Sequence, residues 1–170
     1  HKKYSVEELL AFANIHKKYS DWQLRIIGDG KLKNKLIKLI ENYKISDKVS
    51  IIGPISNIEE EYSKASFFVL PSKYESFGLV TIEAMACELP VIGFADCDGT
   101  NELITDNYNG LLVSGKSRAD SLANAMERLM SDKVLLESLR KKTLASSKNY
   151  SMDKIIIKWQ NMFTLVAEDK

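Results

Sequence analysis

Two glutamates, Glu75 and Glu83, lie eight positions apart on either side of the sequence Phe-Gly-Leu at residues 77–79. The apolar run that Pro71 stops predicts a strand, and the residues from Gly78 onward predict a helix. Because the first N–H groups of a helix have no partner within it, the backbone amides of residues 77–79 are suited to hold a phosphate. Carboxylates accept hydrogen bonds from sugar hydroxyls, so the segment predicts a site for a phosphate next to a sugar. The spacing alone also fits two glutamates that are solvated or complement the helix dipole.

Short apolar runs alternate with segments of helical period along the chain. The predicted strands are residues 22–27, 49–52, 67–70, 91–95 and 110–113. Strands of this length that alternate with helices predict an α/β fold with a parallel sheet flanked by helices. In such sheets ligands bind beyond the carboxyl ends of the strands. The turns at that edge are residues 28–31, 53–57, 71–78 and 95–102.

Three local patterns give more specific predictions. Ser5, followed three residues later by Glu8, predicts a capping box at the first helix. The continuous apolar run at residues 67–70 predicts a strand buried on both faces. Asn101 and Glu102 predict the start of a short helix after the fourth strand.

The composition is that of an ordinary globular domain. The chain has 170 residues, of which 45% are hydrophobic and 28% charged, with a net charge of +1. This balance argues against a nucleic-acid partner bound through bulk positive charge. Two cysteines do not make a disulfide framework and fit a reducing compartment. No apolar run reaches the roughly 18 residues of a membrane span, so a cytoplasmic location is expected.

Three further patterns have competing interpretations. Gly28-Asp29-Gly30 falls short of a dinucleotide-binding fingerprint because position 33 is lysine. Asp96 and Asp98 flank one residue and precede a glycine, which favours a turn over a metal site. The lysines of the second helix favour a solvated face, although a basic helix can also lie on an anionic membrane. They are Lys31, Lys33, Lys35, Lys38 and Lys44.

The third turn resembles the C-terminal half of retaining glycosyltransferases of family 4, which have the GT-B fold. The family pattern is a Pro-Ser pair, a Glu, a Phe-Gly-Leu and a second Glu eight positions after the first, followed by Ala-Met-Ala and Leu-Pro-Val. The counterparts are residues 71–72, Glu75, residues 77–79, residues 83–86 and residues 88–91. Further matches lie at residues 24–30, 49–53, 99–104 and 109–113. The resemblance covers roughly residues 20–165.

The resemblance implies a role for each site residue. Glu75 matches a residue that contacts hydroxyls of the donor sugar or lies near its reacting carbon. Glu83 matches the residue that holds the ribose hydroxyls of the nucleotide. The backbone amides of Phe77, Gly78 and Leu79 would hold the diphosphate. The other expected contacts are Ser76 in the same loop, Gly28 and Gly30 in the first turn, Ile52 and Gly53 at the edge of the base, and Glu102 after the fourth strand.

The basic pair that neutralises the diphosphate in the family is where this sequence departs from the pattern. The usual Gly-Arg strand has no counterpart, and Lys2 or Lys3 is the candidate for the family's lysine. The spacing does not choose between these two lysines, and both also fit frayed terminal charges. Arg25 is a poor substitute, because it lies within a predicted strand several residues before the turn.

The resemblance implies retaining transfer of a hexose, without a cofactor or metal, from a nucleotide-diphosphate sugar. A UDP-sugar is the expected donor, and a glycan, lipid or cell-envelope component is the expected acceptor. A non-catalytic nucleotide-sugar-binding domain on the same fold is the alternative. Contact with the inner face of a membrane is left open.

The same resemblance implies how the chain is organised. Residues 1–170 are expected to form one nucleotide-sugar-binding domain that includes a C-terminal crossover helix at about 151–166. The acceptor-binding N-terminal domain is expected to be absent, and so is a central first strand between residues 22–27 and 67–70. The chain alone is therefore expected not to turn over substrate.

Overall fold

The computed structural model describes residues 5–168, which form five strands, seven α-helices and one 3₁₀ turn. The strands are β1 (Leu24–Ile27), β2 (Val49–Ile52), β3 (Phe68–Val69), β4 (Val91–Phe94) and β5 (Gly110–Val113). The helices are α1 (Glu7–Ile15), α2 (Lys33–Tyr43), α3 (Ile58–Ser63), α4 (Leu79–Ala86), α5 (Arg118–Ser131), α6 (Lys133–Ser147) and α7 (Met152–Glu168). The 3₁₀ turn, Lys148–Tyr150, joins α6 to α7. The prediction of parallel strands flanked by helices is confirmed.

All the strand pairs are parallel. β1 pairs with β2, with Leu24 opposite Val49, and β4 pairs with β3 on one side and with β5 on the other. β4 is buried along its whole length because it has a neighbour on each side. The prediction that residues 67–70 form the strand buried on both faces is wrong, since the ladder covers only Phe68–Val69 and these residues are half-buried.

The sheet is divided into two parts between β1 and β3. Within residues 5–168 no ladder joins these two strands, and the division lies where the sequence predicts a missing strand. The rings of Trp22 and Phe67 meet across it with centroids 5.4 Å apart. One core cluster includes both Val49 of β2 and Ile92 of β4, so shared apolar packing holds the two parts together.

Helices cover both faces of the strands. On one face, Phe12 of α1 joins Leu122 and Met126 of α5 in the larger core cluster. On the other face, Tyr62 of α3 and Met85 of α4 form a second cluster with Val91 of β4. Both faces of a parallel sheet must be covered in this way, because its strands are apolar on both sides.

The start of α1 differs from the predicted capping box. The Ser5 hydroxyl donates to the carboxylate of Glu7, and the backbone N–H of Glu7 donates back to Ser5 Oγ at 3.2 Å. Glu8 instead turns into the interior and is 7% exposed. Glu8 lies four residues before Phe12, so it shares the buried face of the helix.

The last helix, α7, carries apolar side chains that remain exposed, among them Met152, Trp159 and Phe163. They lie seven and four residues apart and so share one face of the helix. No helix within residues 5–168 is long and apolar enough to cross a bilayer.

Candidate functional site

The turns after β1 and β2 meet at the carboxyl edge of the sheet. Ile27 and Ile52 are paired at the ends of these strands, and the backbone N–H of Gly28 donates to Ile52 O at 3.0 Å. Gly28 has φ +135°, a conformation that favours glycine. The predicted contacts Gly28 and Ile52 are therefore neighbours, and Gly30 and Gly53 follow them in the same turns.

A pocket of about 240 Å³ opens between these turns and α4. The predicted residues Gly28 and Glu83 both line it, although they are 55 positions apart in the chain. Glu83 is exposed on α4, so its carboxylate is accessible to a ligand. The remaining lining residues are Ile27, Asp29, Pro54, Ile55 and Ile58.

These remaining residues were missed as individual candidates by the sequence analysis. Pro54 and Ile55 belong to a turn that was flagged only as a whole, and Ile58 opens α3. Their signal in the sequence is their position at the carboxyl end of a strand or in the segment that leads from it to the next helix. An apolar wall with few polar groups is typical of pockets that bind a planar ring.

Tyr62 of α3 lies close to Glu83. Burial of the phenol, together with the nearby charge of Glu83, raises the pKa of Tyr62. Tyr62 therefore remains protonated and uncharged at neutral pH.

The loop between β3 and α4 holds Glu75 in a defined orientation. The Ser72 hydroxyl donates to Glu75 Oε1 at 2.6 Å, and the backbone N–H of Glu75 donates to Asp98 O at 3.3 Å. Gly99 lies directly against this loop. The loop is thus attached to the residues after β4, and Glu75 is half-buried between them.

The helix α4 starts where the sequence predicts it. Gly78 adopts the left-handed conformation, with φ +75°, and the helix begins at Leu79. The first backbone N–H groups of a helix are not used by its own hydrogen bonds. The Phe77 ring, half-exposed, packs edge-on against Tyr150 with centroids 5.9 Å apart. Phe77, Gly78 and Leu79 are therefore brought together with Ser76 next to Glu75.

Glu102 is not brought into this arrangement by any recorded contact. It lies on an exposed turn rather than at the start of a helix, because successive backbone bonds to Cys97 O and Thr100 O close turns there. Its carboxylate makes no hydrogen bond or ion pair with residues 5–168. The prediction of a helix at Asn101 and Glu102 is wrong.

The predicted diphosphate ligands Lys2 and Lys3 lie outside the described residues. Arg25, rejected from the sequence, is engaged elsewhere. Its guanidinium pairs with the carboxylate of Glu61 on α3 at 2.6 Å, and this pairing holds the pKa of Glu61 below its usual range.

Of the two aspartates that flank Cys97, Asp96 is already engaged by an arginine. Asp96 is paired with Arg118 at 2.9 Å, and Cys97 is buried with its thiol 3.4 Å from Thr100 Oγ1. Within the described part of the chain, no group of three His, Cys, Asp or Glu side chains is arranged to hold a metal ion.

A larger depression of about 530 Å³ lies on the outer surface of α6. All the residues that line it belong to that helix, between Lys133 and Lys142. It contains no residue from a strand end, so we place the candidate site at the smaller pocket beside Glu83.

The family model described as "Glycosyl transferases group 1" matches residues 1–146. A curated relative, an exopolysaccharide phosphotransferase from Streptomyces coelicolor, is 37% identical over 155 residues, which are 91% of this chain and 16% of that protein. The chain spans 16% to 41% of the length of eight curated relatives, and seven of these eight are named as glycosyltransferases.

Two solved structures resemble this one in both fold and sequence. A variant of TarM from S. aureus, in complex with fondaparinux, α-GlcNAc-glycerol and UDP, superposes with a TM-score of 0.82 at 29% identity and covers 93% of this chain and 32% of that one. The C-terminal domain of a glycosyl transferase group 1 family protein, LpcC from Francisella tularensis, superposes with a TM-score of 0.78 at 27% identity and covers 88% of this chain and 83% of that one. The chain therefore belongs to the glycosyl transferases group 1 family, whose members share the GT-B type of fold.

Proposed function

We propose that this chain is the donor-binding domain of a retaining hexosyltransferase of family 4 that uses a UDP-sugar. The observation that carries the proposal is the pocket in which Glu83 faces the turn at Gly28, next to the start of α4. It combines an apolar wall, an accessible carboxylate and an adjacent row of backbone amides, which match a base, a ribose and a diphosphate. The TarM structure supports the choice of donor, because it contains UDP together with an α-linked sugar.

The parts of the donor are assigned from the bottom of the pocket outward. The base lies against the turn at Ile52 and Gly53, and the ribose hydroxyls donate to the carboxylate of Glu83. The amides of Phe77, Gly78 and Leu79 hold the diphosphate, with Ser76 beside them. The sugar lies toward Glu75, and Gly28 and Gly30 allow the chain to pass close to it. Glu102 borders the donor from the loop after β4.

Catalysis in this proposal is mainly electrostatic. As the bond from the sugar to the diphosphate breaks, positive charge develops on the sugar and negative charge grows on the leaving group. The amides at the start of α4 and the ammonium of Lys2 or Lys3 stabilise the leaving group, without a metal or cofactor. Glu75 contacts the hydroxyls of the reacting sugar and fixes its position relative to the acceptor.

We expect substitutions of Glu83 and Glu75 to affect different quantities, nucleotide binding and turnover. Glu83→Ala should weaken UDP binding about 10-fold, because charge-assisted hydrogen bonds to the ribose are lost. Glu75→Gln should change UDP binding less than about 3-fold but lower turnover about 100-fold, because its contacts are made to the sugar. Calorimetry with UDP, and transfer assays on the whole protein that carries this domain, measure the two effects.

Glu60→Ala is the matched control, since Glu60 is an exposed carboxylate on α3 outside the pocket. It should change neither quantity. The assigned roles are contradicted if Glu75→Gln and Glu83→Ala both behave like this control. The proposed function fails if the unsubstituted protein binds no nucleoside diphosphate at millimolar concentration.

The acceptor is proposed to be a glycan, a lipid or a cell-envelope component, bound by a separate N-terminal domain. In this proposal α7 is the helix that crosses to that domain, and the 170-residue chain alone binds donor without transferring sugar. The enzyme is proposed to act in the cytoplasm, with contact at the inner face of the membrane where the acceptor is a lipid. Turnover by the whole protein distinguishes this proposal from a non-catalytic nucleotide-sugar-binding domain.

A further inference from the structure

Arg118 is held in an unusual position for an arginine. It is the first residue of α5, where the helix dipole disfavours a positive charge. Its side chain is 17% exposed, and its Nε is buried without a hydrogen-bond partner within residues 5–168. Burial of an unpaired N–H group is unfavourable, so local stability does not explain this placement.

Both terminal nitrogens of the guanidinium group make hydrogen bonds. Nη1 donates to both carboxylate oxygens of Asp96, at 2.9 and 3.1 Å, and Nη2 donates to the backbone carbonyl of Ser72 at 2.8 Å. The guanidinium group lies over the ring of Phe94, with Arg118 Cζ 3.3 Å from the ring centroid. Asp96 itself is 73% exposed, and an ion pair with so exposed a partner contributes little to stability.

These contacts join two loops at the carboxyl edge of the sheet. Ser72 belongs to the loop after β3 and Asp96 to the loop after β4. Ser72 connects Arg118 to Glu75, because the Ser72 hydroxyl donates to Glu75 Oε1 at 2.6 Å. A second link runs from the backbone N–H of Glu75 to Asp98 O at 3.3 Å. Arg118 thus closes a ring of contacts around the loop that presents Glu75.

We propose that Arg118 is a positioning residue that fixes the carboxylate of Glu75 for the sugar portion of the donor. The planar fork of arginine serves this purpose, because it bonds a carboxylate and a carbonyl in different directions at the same time. A lysine ammonium lacks this fixed fork and cannot reproduce the same set of bonds. The inference rests on the proposed function, in which Glu75 contacts the donor sugar.

The placement predicts a selective effect. The nucleotide pocket is lined by the turns after β1 and β2, by Ile58 and by Glu83, and none of these is a recorded partner of Arg118. Loss of the guanidinium should therefore release residues 72–75, which carry Glu75, but leave in place the amides at the start of α4 and the groups that hold the base and the ribose.

The test compares Arg118→Met and Arg118→Lys with the unsubstituted whole protein. Methionine keeps apolar contact with Phe94 and removes the polar bonds. Hydrogen exchange in residues 72–75 should become at least 10-fold faster in Arg118→Met, while exchange in residues 76–79 and in α5 changes less than 2-fold. The kcat for transfer from the UDP-sugar should fall at least 10-fold, with the Kd for UDP changed less than 3-fold. Arg118→Lys should not restore kcat.

Arg128→Met is the matched control, because Arg128 is an exposed arginine on the same helix whose bond is made to Asn107 at 2.8 Å. It should change none of these quantities. The inference is overturned if Arg118→Met behaves like this control. It is also overturned if Arg118→Met loses UDP binding and if both α5 and the loop lose their protection from hydrogen exchange. If the unsubstituted protein binds no UDP, the proposed function fails, and the exchange of residues 72–75 still decides whether Arg118 holds the Glu75 loop.

Discussion

Replacing Gly99 with alanine is expected to lower the free energy of unfolding by about 3 kcal/mol. Gly99 has φ +78°, a conformation that alanine adopts only with strain. A Cβ at this position would also lie 2.4 Å from Glu75 O and 3.1 Å from Phe77 N. Both are backbone atoms, so the clash is relieved only if the loop that carries Glu75 moves away from the loop after β4.

Urea denaturation of the two proteins measures this loss directly. Gly53→Ala is the control, since no atom lies within 4 Å of a Cβ there and Gly53 does not require a left-handed conformation. Its effect should be smaller than about 1 kcal/mol. A loss for Gly99→Ala no larger than that of Gly53→Ala would show that the two loops are not packed as described.

Replacing Glu8 with glutamine is expected to raise the free energy of unfolding at pH 8 by about 3 kcal/mol. Burial raises the pKa of Glu8 from 4.5 to about 7, and the nearby charge of Glu7 raises it further. Hydrogen bonds from the backbone and from Ser5 lower the pKa but do not outweigh burial. Between these values the unfolded chain releases the proton while the folded chain retains it. The unsubstituted protein therefore loses stability as the pH rises from about 4.5 to 7, and loses no more above that range.

Unfolding measured in steps from pH 4.5 to 8 tests this sign. Glu8→Gln should remove the decline, and the two proteins should be nearly equal in stability at the acidic end. Glu7→Gln is the control, because Ser5, the backbone N–H groups and Lys73 keep the pKa of Glu7 below its usual range despite partial burial. That variant should retain the decline. A pH profile of Glu8→Gln parallel to that of the unsubstituted protein would refute the assignment.

Two of the residues that line the pocket, Gly28 and Glu83, were predicted, and a general property of parallel sheets explains why they meet. Gly28 directly follows β1 and Glu83 lies on the helix that follows β3, and the carboxyl ends of parallel strands meet at one edge. The same reasoning places Glu75 in the loop after β3. The order of strands and helices predicts the edge of the sheet at which these residues lie, and the role expected of each comes from the family resemblance.

The local predictions that were wrong depended on competition between neighbouring groups. Ser5 has two acidic residues within reach, and its hydroxyl donates to the carboxylate of Glu7. Asn101 is a residue type that is common at the start of a helix. Here its side chain donates to Ala95 O at 2.9 Å, and the backbone forms turns rather than a helix. A pattern does not decide between partners that are equally close in sequence.

The sequence by itself determined the fold class, the family resemblance and the carboxylates offered to a ligand, because these follow from residue types and their spacing along the chain. The tertiary structure alone decided that Glu8 is buried, that Ile58 lines the pocket and that Arg118 holds the loop of Glu75. Arg118 and Ser72 are 46 positions apart, and no periodicity relates them. Their contact exists because α5 packs beside β4 and brings its first residue next to the loops after β3 and β4. Burial and hydrogen bonding depend on such packing rather than on the order of residues.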